Sequence, residues 1–179
     1  MAASPVSVYP VSGSLLLLDG GASAAFSFED MMRYHGGGSP GGVAHAFKVL
    51  ERALPLLGPE GPLERREIVI RTAFAGPGAR DGFELVTRAV TENRYAIDRS
   101  LVRPERGAAE DFVFCVATSE RTVTLALRDG YVTDEFIVLA RARERSDDQE
   151  RRLAEMKAEM ARVVMSANAL DVYDVADPH

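Results

Sequence analysis

Apolar and polar residues alternate with two different periods along the chain, and each period predicts a different kind of element. One segment carries apolar residues every three or four positions, the spacing of a helix with one buried face: Val43, Phe47, Leu50 and Leu54. The segment from about Glu67 to Phe74, "EIVIRTAF", instead alternates and is rich in β-branched residues, which predicts a strand. The chain therefore contains both helices and strands.

Capping residues predict where several of the helices begin. Ser39 is placed as the N-cap of the helix that contains Phe47, and Pro40 follows at the first helical position, where a missing N–H costs nothing. Two more helices, the second of them long and close to the C-terminus, are predicted to begin at capping boxes: Ser27 with Asp30, and Ser146 with Gln149. Asp81 and Glu84 are expected to cap a further helix, "GFELVTRAV".

Short segments bounded by turn residues predict the remaining strands. "DFVFCVATS" and "TVTLALR" are expected to form a hairpin, "RYAID" a weaker strand and "SLLLLDGG" one short strand that ends at a turn. "DEFIVLARARE" fits either a strand or a helix. The order α-α-β-α-β-β-β-α predicts an α+β protein with its helices on one side of the sheet. Residues 1–25 are interpreted as an N-terminal extension and residues 26–179 as a single domain.

Composition and charge exclude several classes of protein. An apolar content of 46% and a charged content of 27% are typical of a globular domain. The formal net charge of −6, with arginines dispersed among acids, argues against a nucleic-acid partner. The apolar run Leu15–Leu18 is too short to span a bilayer, and no basic residue precedes Arg33 as a secretory signal would require. Cys115 is the single cysteine, so an internal disulfide is excluded and a cytoplasmic location is expected.

The stretch Tyr34–Gly42, "YHGGGSPGG", is the segment that most clearly predicts a binding site. A glycine-rich turn that leads into a helix exposes backbone N–H groups, which can hold an anion. The spacing matches neither a P-loop nor a dinucleotide-binding fingerprint. Ser39 with His35 as a base is conceivable, but no nucleophile-elbow pattern surrounds the serine. A metal would draw on His35, His45 and Asp81 or Asp30, whose spacing is not that of a known metal motif.

The segment "FEDMMRYHGGGSPGGVAHAFKVLERAL" resembles the opening of the FmdE family of formylmethanofuran dehydrogenase subunits, whose members carry the signature "F-E-D-L-x-x-F-H-G-H-x-C-P-G". The residues that match it are Phe28, Glu29, Asp30, His35, Gly36, Pro40 and Gly41. A second segment of the family is matched through Asp81, Phe83, Val86 and Thr87. The resemblance covers about residues 26–175. It implies an α-β-α-β-β-β core with a mixed four-stranded sheet, similar to the catalytic domain of glyceraldehyde-3-phosphate dehydrogenase, and a homodimer.

The chain departs from this signature at the positions that look like metal ligands in the family. Gly37 and Ser39 stand where the family has a histidine and a cysteine, and "GPGA" replaces the cysteine that often precedes the helical aspartate. Because thiolates bind zinc far more strongly than a hydroxyl does, the usual zinc site is expected to be absent. Only His35 and Asp81 carry over, and His35 and His45 are the remaining candidates for a metal ligand.

The leading hypothesis is a cytoplasmic FmdE-like protein that binds a small anionic molecule at the glycine-rich loop. The candidate ligand-binding residues are His35, Gly36, Gly37, Gly38, Ser39, Gly41 and Asp81. A role in one-carbon or redox metabolism is implied by the resemblance alone. Two alternatives stay open: a non-catalytic accessory protein in which the glycines allow two helices or two protomers to approach closely, and a metal enzyme that uses His35, Asp81 and a ligand from the other protomer.

Overall fold

A computed structural model of the protein describes residues 13–177. In chain order the strands are β1 (Leu15–Asp19), β2 (Ala22–Phe26), β3 (Val69–Thr72), β4 (Tyr95–Ile97), β5 (Val113–Ala117), β6 (Thr122–Leu127) and β7 (Tyr173–Ala176). The helices are α1 (Phe28–His35), α2 (Pro40–Leu57), α3 (Pro77–Thr87), α4 (Asp134–Arg141), α5 (Asp147–Ser166) and α6 (Ala169–Val172). Short 3₁₀ helices span Arg65–Glu67, Arg99–Leu101 and Pro104–Ala109. The predicted α+β class is confirmed.

The larger sheet is mixed and has five strands in the order β4-β3-β5-β6-β7. β3 and β4 are parallel, and the other neighbours are antiparallel, including the predicted β5–β6 hairpin. The expected sheet of four strands is thus one strand short. The fifth strand arises because the chain returns after α5 and pairs β7 with β6, from Leu127 opposite Tyr173 to Thr124 opposite Ala176.

One face of this sheet is covered by helices. Phe114 and Leu125 lie opposite each other on β5 and β6 and are fully buried in the core that these strands form with α2. α2 in turn packs against both α3 and α5, so the start of α2 is enclosed by other elements. On the opposite face, a smaller hydrophobic cluster includes Val113 of β5 and Leu101 of the 3₁₀ helix Arg99–Leu101.

Most predicted helix starts are confirmed, but the predicted start of α3 is wrong, and α2 continues through Pro55 to Leu57. Both capping boxes form, and α2 begins at Pro40 after Ser39. α3 begins at Pro77, so Asp81 lies inside the helix and does not cap it. The reason is that a proline is favourable at the first position of a helix, so the glycine-proline segment opens α3 and is not a loop before it. Glu84 instead accepts hydrogen bonds from backbone N–H groups beyond the C-terminal end of α3.

The described part of the predicted N-terminal extension packs into the domain core. Leu15 and Leu17 on β1 are buried there. The buried Arg65 donates to the Val86 carbonyl and forms an ion pair with Asp19 at the end of β1. The hairpin of β1 and β2 is therefore tied to α3, while residues 1–12 lie outside the described part of the chain. Within residues 13–177, no helix has the length and apolarity needed to cross a membrane.

Candidate functional site

The first turns of α2 and α3 lie in direct backbone contact. A Cβ atom added to Gly42 would lie 2.9 Å from the Ala79 nitrogen, and one added to Gly78 would lie 2.3 Å from the Ser39 carbonyl oxygen. Real Cβ atoms do not approach other atoms this closely, so both positions require glycine for this packing. Gly42 and Gly78 thus bring two helix N-termini together.

A cavity of about 340 Å³ opens where these two helices begin. The N-terminal residues that line it are Ser39, Gly41 and Gly42 of α2, and Gly76 and Gly78 beside or within α3. Apolar side chains from α4 and α5, from the residue before β5 and from the loop after β3 complete the wall: Phe74, Phe112, Phe136, Ile137, Leu153 and Met160. The cavity is therefore apolar over most of its lining and has polar backbone groups at the helix starts.

Neither helix N-terminus is capped by a side chain. Ser39 is the N-cap of α2, but its hydroxyl accepts no hydrogen bond from the first turn, and Gly76 at the start of α3 has no side chain to do so. The first N–H groups of a helix have no intrahelical acceptor. The N–H groups of Gly41, Gly42 and Gly78 therefore have neither an intrahelical acceptor nor a side-chain cap, in a place where two helix dipoles favour negative charge.

Three cationic side chains line the same cavity, and they differ in how their charge is compensated. Arg141 donates to Glu110 and Asp111, which raises the pKa of its guanidinium above the ordinary value. Arg145 pairs with Glu150 and also donates to carbonyl groups at the end of α4. Lys157 donates to the Gly38 carbonyl, at 3.3 Å, and within residues 13–177 no carboxylate lies at ion-pair distance from its Nζ. Among the three cations, Lys157 is therefore the one that no carboxylate of the described residues compensates.

His35 and Asp81, the two residues that the resemblance carries over, are brought together at a different place. His35 Nδ1 lies 2.8 Å from Asp81 Oδ2, and the His35 side chain is 8% exposed. His35 Nε2 is buried without a hydrogen-bond partner among the described residues. Both residues lie outside the lining of the cavity. The pair joins the last turn of α1 to α3.

Replacing Asp81 with alanine is expected to lower the free energy of unfolding by about 1–3 kcal/mol, because the buried His35 ring would lose its hydrogen-bond partner. Urea denaturation at pH 7 measures the change. Asp129→Ala removes an exposed carboxylate from a turn and is the matched control, with an expected change within about 0.5 kcal/mol. Equal stabilities of the two variants would show that the pair does not hold α1 to α3.

The three consecutive glycines that follow His35 are exposed and do not line the cavity. The Gly36 N–H donates to the Met32 carbonyl and closes α1, so this group is not available to an anion. Only Gly36 has a positive φ, +83°, and a Cβ on Gly37 or Gly38 would contact nothing within 4 Å. Of the loop residues predicted to bind a ligand, Ser39 and Gly41 are the ones that the structure places at the cavity.

His45 lies in the core and not beside His35. It is fully buried, its Nδ1 lies 2.8 Å from the Tyr173 hydroxyl, and its ring lies against Phe112. Burial lowers the pKa of His45 to about 3. Within residues 13–177, no group of three or more histidine, cysteine, aspartate or glutamate side chains is arranged to hold a metal ion. The structure therefore does not bring His45 to the predicted ligand-binding residues.

Sequence reasoning missed the parts of the cavity that come from distant segments. Phe74 and Phe112 fall within predicted strands, and Lys157 falls on the surface of a predicted helix. The sequence does contain a signal for the start of α3. The "GPG" at the start of α3 repeats the proline-glycine pattern of the "SPGG" at the start of α2. This repeated pattern marks two helix starts, and the structure places them in contact.

Comparison of the sequence with protein-family models and with curated proteins gave no match. The resemblance of residues 26–175 to the FmdE family therefore stays a prediction. A function for this chain rests on the geometry of its own cavity.

Proposed function

We propose that this protein binds a small anionic molecule in the cavity where α2 and α3 begin. The observation that carries the proposal is that Gly41, Gly42 and Gly78 line the same cavity as Lys157, which has no carboxylate partner among residues 13–177. Each helix N-terminus is equivalent to roughly half a positive charge, so the two together with one ammonium group favour a negatively charged ligand.

The lining supplies hydrogen-bond donors for an anion, and the carboxylate among its residues, Asp111, is paired with Arg99 and Arg141. The backbone N–H groups are fixed donors, because both helices are held by their packing against each other. The Ser39 hydroxyl makes no capping bond and is available as a further donor. Donors that are already in place need no reordering when the anion binds, which favours affinity. The chemistry of the site is therefore that of binding and orientation.

The proposed anion site differs in position from the one predicted from the sequence. The expected site included Gly36–Gly38 and used His35 and Asp81 as hydrogen-bonding partners. The revised site keeps Ser39 and Gly41 and adds residues from α3 and α5. A cytoplasmic location, a homodimer and a link to one-carbon or redox metabolism follow from the sequence and its resemblance, and they remain part of the proposal on those grounds.

Lys157→Gln is expected to weaken anion binding about 10-fold, because a charge-assisted hydrogen bond at a partly exposed site contributes about 1.4 kcal/mol. The probes are inorganic phosphate and acetate, added at constant ionic strength and followed by ¹H–¹⁵N NMR. The amide signals of Gly41, Gly42 and Gly78 should shift as either anion binds.

The matched control is Arg162→Gln, which removes one positive charge from the exposed side of the same helix. It should leave the affinity for both anions unchanged. If the two variants weaken binding equally, the effect is one of overall charge and the proposed site is wrong. The same conclusion follows if the three glycine amides do not respond to either anion in the wild-type protein.

A further inference from the structure

We infer that the ligand of this cavity is an aromatic carboxylate, a planar ring joined directly or through one methylene to a single carboxylate group. This inference rests on the proposed function, because it names the class of anion. It goes beyond that proposal in requiring a planar apolar body, one negative charge and a limited size.

An aromatic surface adjoins the helix starts. The rings of Phe74 and Phe112 stack with their centroids 4.3 Å apart and an interplanar angle of 26°, and both residues line the cavity. A Cβ added to Gly76, the N-cap of α3, would lie 2.4 Å from the Phe74 ring. The Phe74 ring therefore packs directly on the residue where α3 begins. A carboxylate held by the first turn of α3 would place its own ring against Phe74.

The rest of the lining favours an apolar body over a hydroxylated one. Phe136 and Ile137 come from α4, and Leu153 and Met160 from α5. These side chains offer no hydrogen bonds to the hydroxyl groups of a sugar acid or a sugar phosphate. A buried hydroxyl without a partner costs free energy, whereas a buried ring gains it and stacks favourably on other rings.

Charge and size limit the ligand further. Arg141 and Arg145 are already paired with carboxylates, so Lys157 is the cation of the lining that has no carboxylate partner in the described part of the chain. Because most of the lining is apolar, a carboxylate, which has one charge to desolvate, is favoured over a phosphate dianion, which has two. The volume of about 340 Å³ lies at the lower end of the range of about 300–1,000 Å³ that is usual for small-molecule pockets. A carboxylate with a single ring, such as phenylacetate, fits a cavity of this size.

The experiment compares four carboxylates of like charge by the same NMR titration: acetate, gluconate, cyclohexylacetate and phenylacetate. In the wild-type protein, phenylacetate should bind roughly 10- to 100-fold more tightly than acetate, the gain expected for burying one ring. Gluconate should bind no better than acetate. Cyclohexylacetate has the same size without planarity and should fall between acetate and phenylacetate.

Phe74→Leu should remove most of the preference for phenylacetate over cyclohexylacetate and leave the affinity for acetate unchanged. The control is Phe26→Leu, a ring-to-aliphatic change at a partly buried position outside the cavity. It should change neither the preference for phenylacetate over cyclohexylacetate nor the affinity for acetate. If gluconate or phosphate binds as tightly as phenylacetate while Lys157→Gln still weakens all of them, the anion site stands and the aromatic inference is overturned. If no carboxylate shifts the glycine amides, the proposed function fails together with the inference.

Discussion

Gly78→Ala is expected to destabilise the protein by about 3 kcal/mol, at the upper end of the range for overpacked sites. The new methyl group would be built 2.3 Å from the Ser39 carbonyl oxygen and 3.0 Å from the Val43 nitrogen. Both of these atoms belong to the backbone of α2 and its N-cap, so no side-chain rotation can relieve the contact. Either α3 moves away from α2 or one of the helix starts unravels.

The sign of this change is what makes the prediction specific. Gly78 is the second residue of α3, and alanine is ordinarily the better helix former by about 1 kcal/mol. A position that needed only a helical backbone would be stabilised by the substitution. Urea denaturation at pH 7, with far-ultraviolet circular dichroism as the signal, distinguishes the two outcomes.

Gly37→Ala is the matched control, since it makes the same chemical change in the exposed loop. Its Cβ would contact nothing within 4 Å, and its backbone is not in the left-handed region. The expected change in stability is within about 0.5 kcal/mol. Should Gly78→Ala prove as harmless as Gly37→Ala, the close contact of α2 with α3 would be refuted, and the shape of the cavity with it.

The glycines of "YHGGGSPGG" thus divide into two groups that the sequence alone does not separate. Gly36 closes α1 with a positive φ, and Gly37 and Gly38 are exposed. Gly41 and Gly42 instead permit close packing on α5 and α3. Composition shows only that glycines are clustered. Which of them are needed depends on chain segments that are far away in the sequence.

Local signals account for the elements that are predicted well. A capping box involves residues three positions apart, and a proline acts on its own turn, so the starts of α1, α2 and α5 are encoded within a few residues. β7 is absent from the predicted strands, because its four residues are defined by pairing with β6. α4 is ambiguous in the sequence, because its apolar run is too short to show a period.

Only the part of the candidate site at the start of α2 could be predicted, because only that part is encoded by neighbouring residues. Ser39 and Gly41 belong to a local pattern that marks a helix start. Lys157 approaches this start from 119 residues away, as its contact with Gly38 shows. Phe112 directly precedes β5, and it lines the cavity because strand pairing places β5 beside it. Strand pairing joins distant segments, so a short stretch of sequence does not show it. Predicting the site therefore required the tertiary arrangement of α2, α3 and α5.

The stability of the protein is expected to fall by about 2 kcal/mol between pH 7 and pH 5 because of His45 alone. Burial lowers the pKa of His45 from 6.5 to about 3 in the folded protein. Between these two values the unfolded chain binds more protons at this site than the folded chain does. The stability that the neutral ring contributes is therefore fully present above pH 6.5, declines as the pH falls, and is lost by about pH 3.

The expected loss of about 2 kcal/mol is a substantial fraction of the total stability of about 5–15 kcal/mol that is usual for a domain. The fully buried ring lies between Tyr173 and Phe112, so a proton added to it would place a charge in the core. Tyr173 offers a single hydroxyl, and burial raises the pKa of that hydroxyl well above its ordinary value. The environment of His45 therefore favours the neutral form of the ring.

Two measurements check the prediction. The free energy of unfolding, determined in urea at several pH values from 5 to 7.5, should depend less steeply on pH in His45→Asn than in the wild-type protein, by up to about 1.4 kcal/mol for each pH unit below 6.5. The Asn side chain keeps a polar group near the Tyr173 hydroxyl and removes the titration. In NMR spectra of the folded wild-type protein, the ring signals of His45 should not titrate down to pH 5. A His45 ring that titrates near pH 6.5 would show that the core admits its charged form and that the buried contact with Tyr173 is wrong.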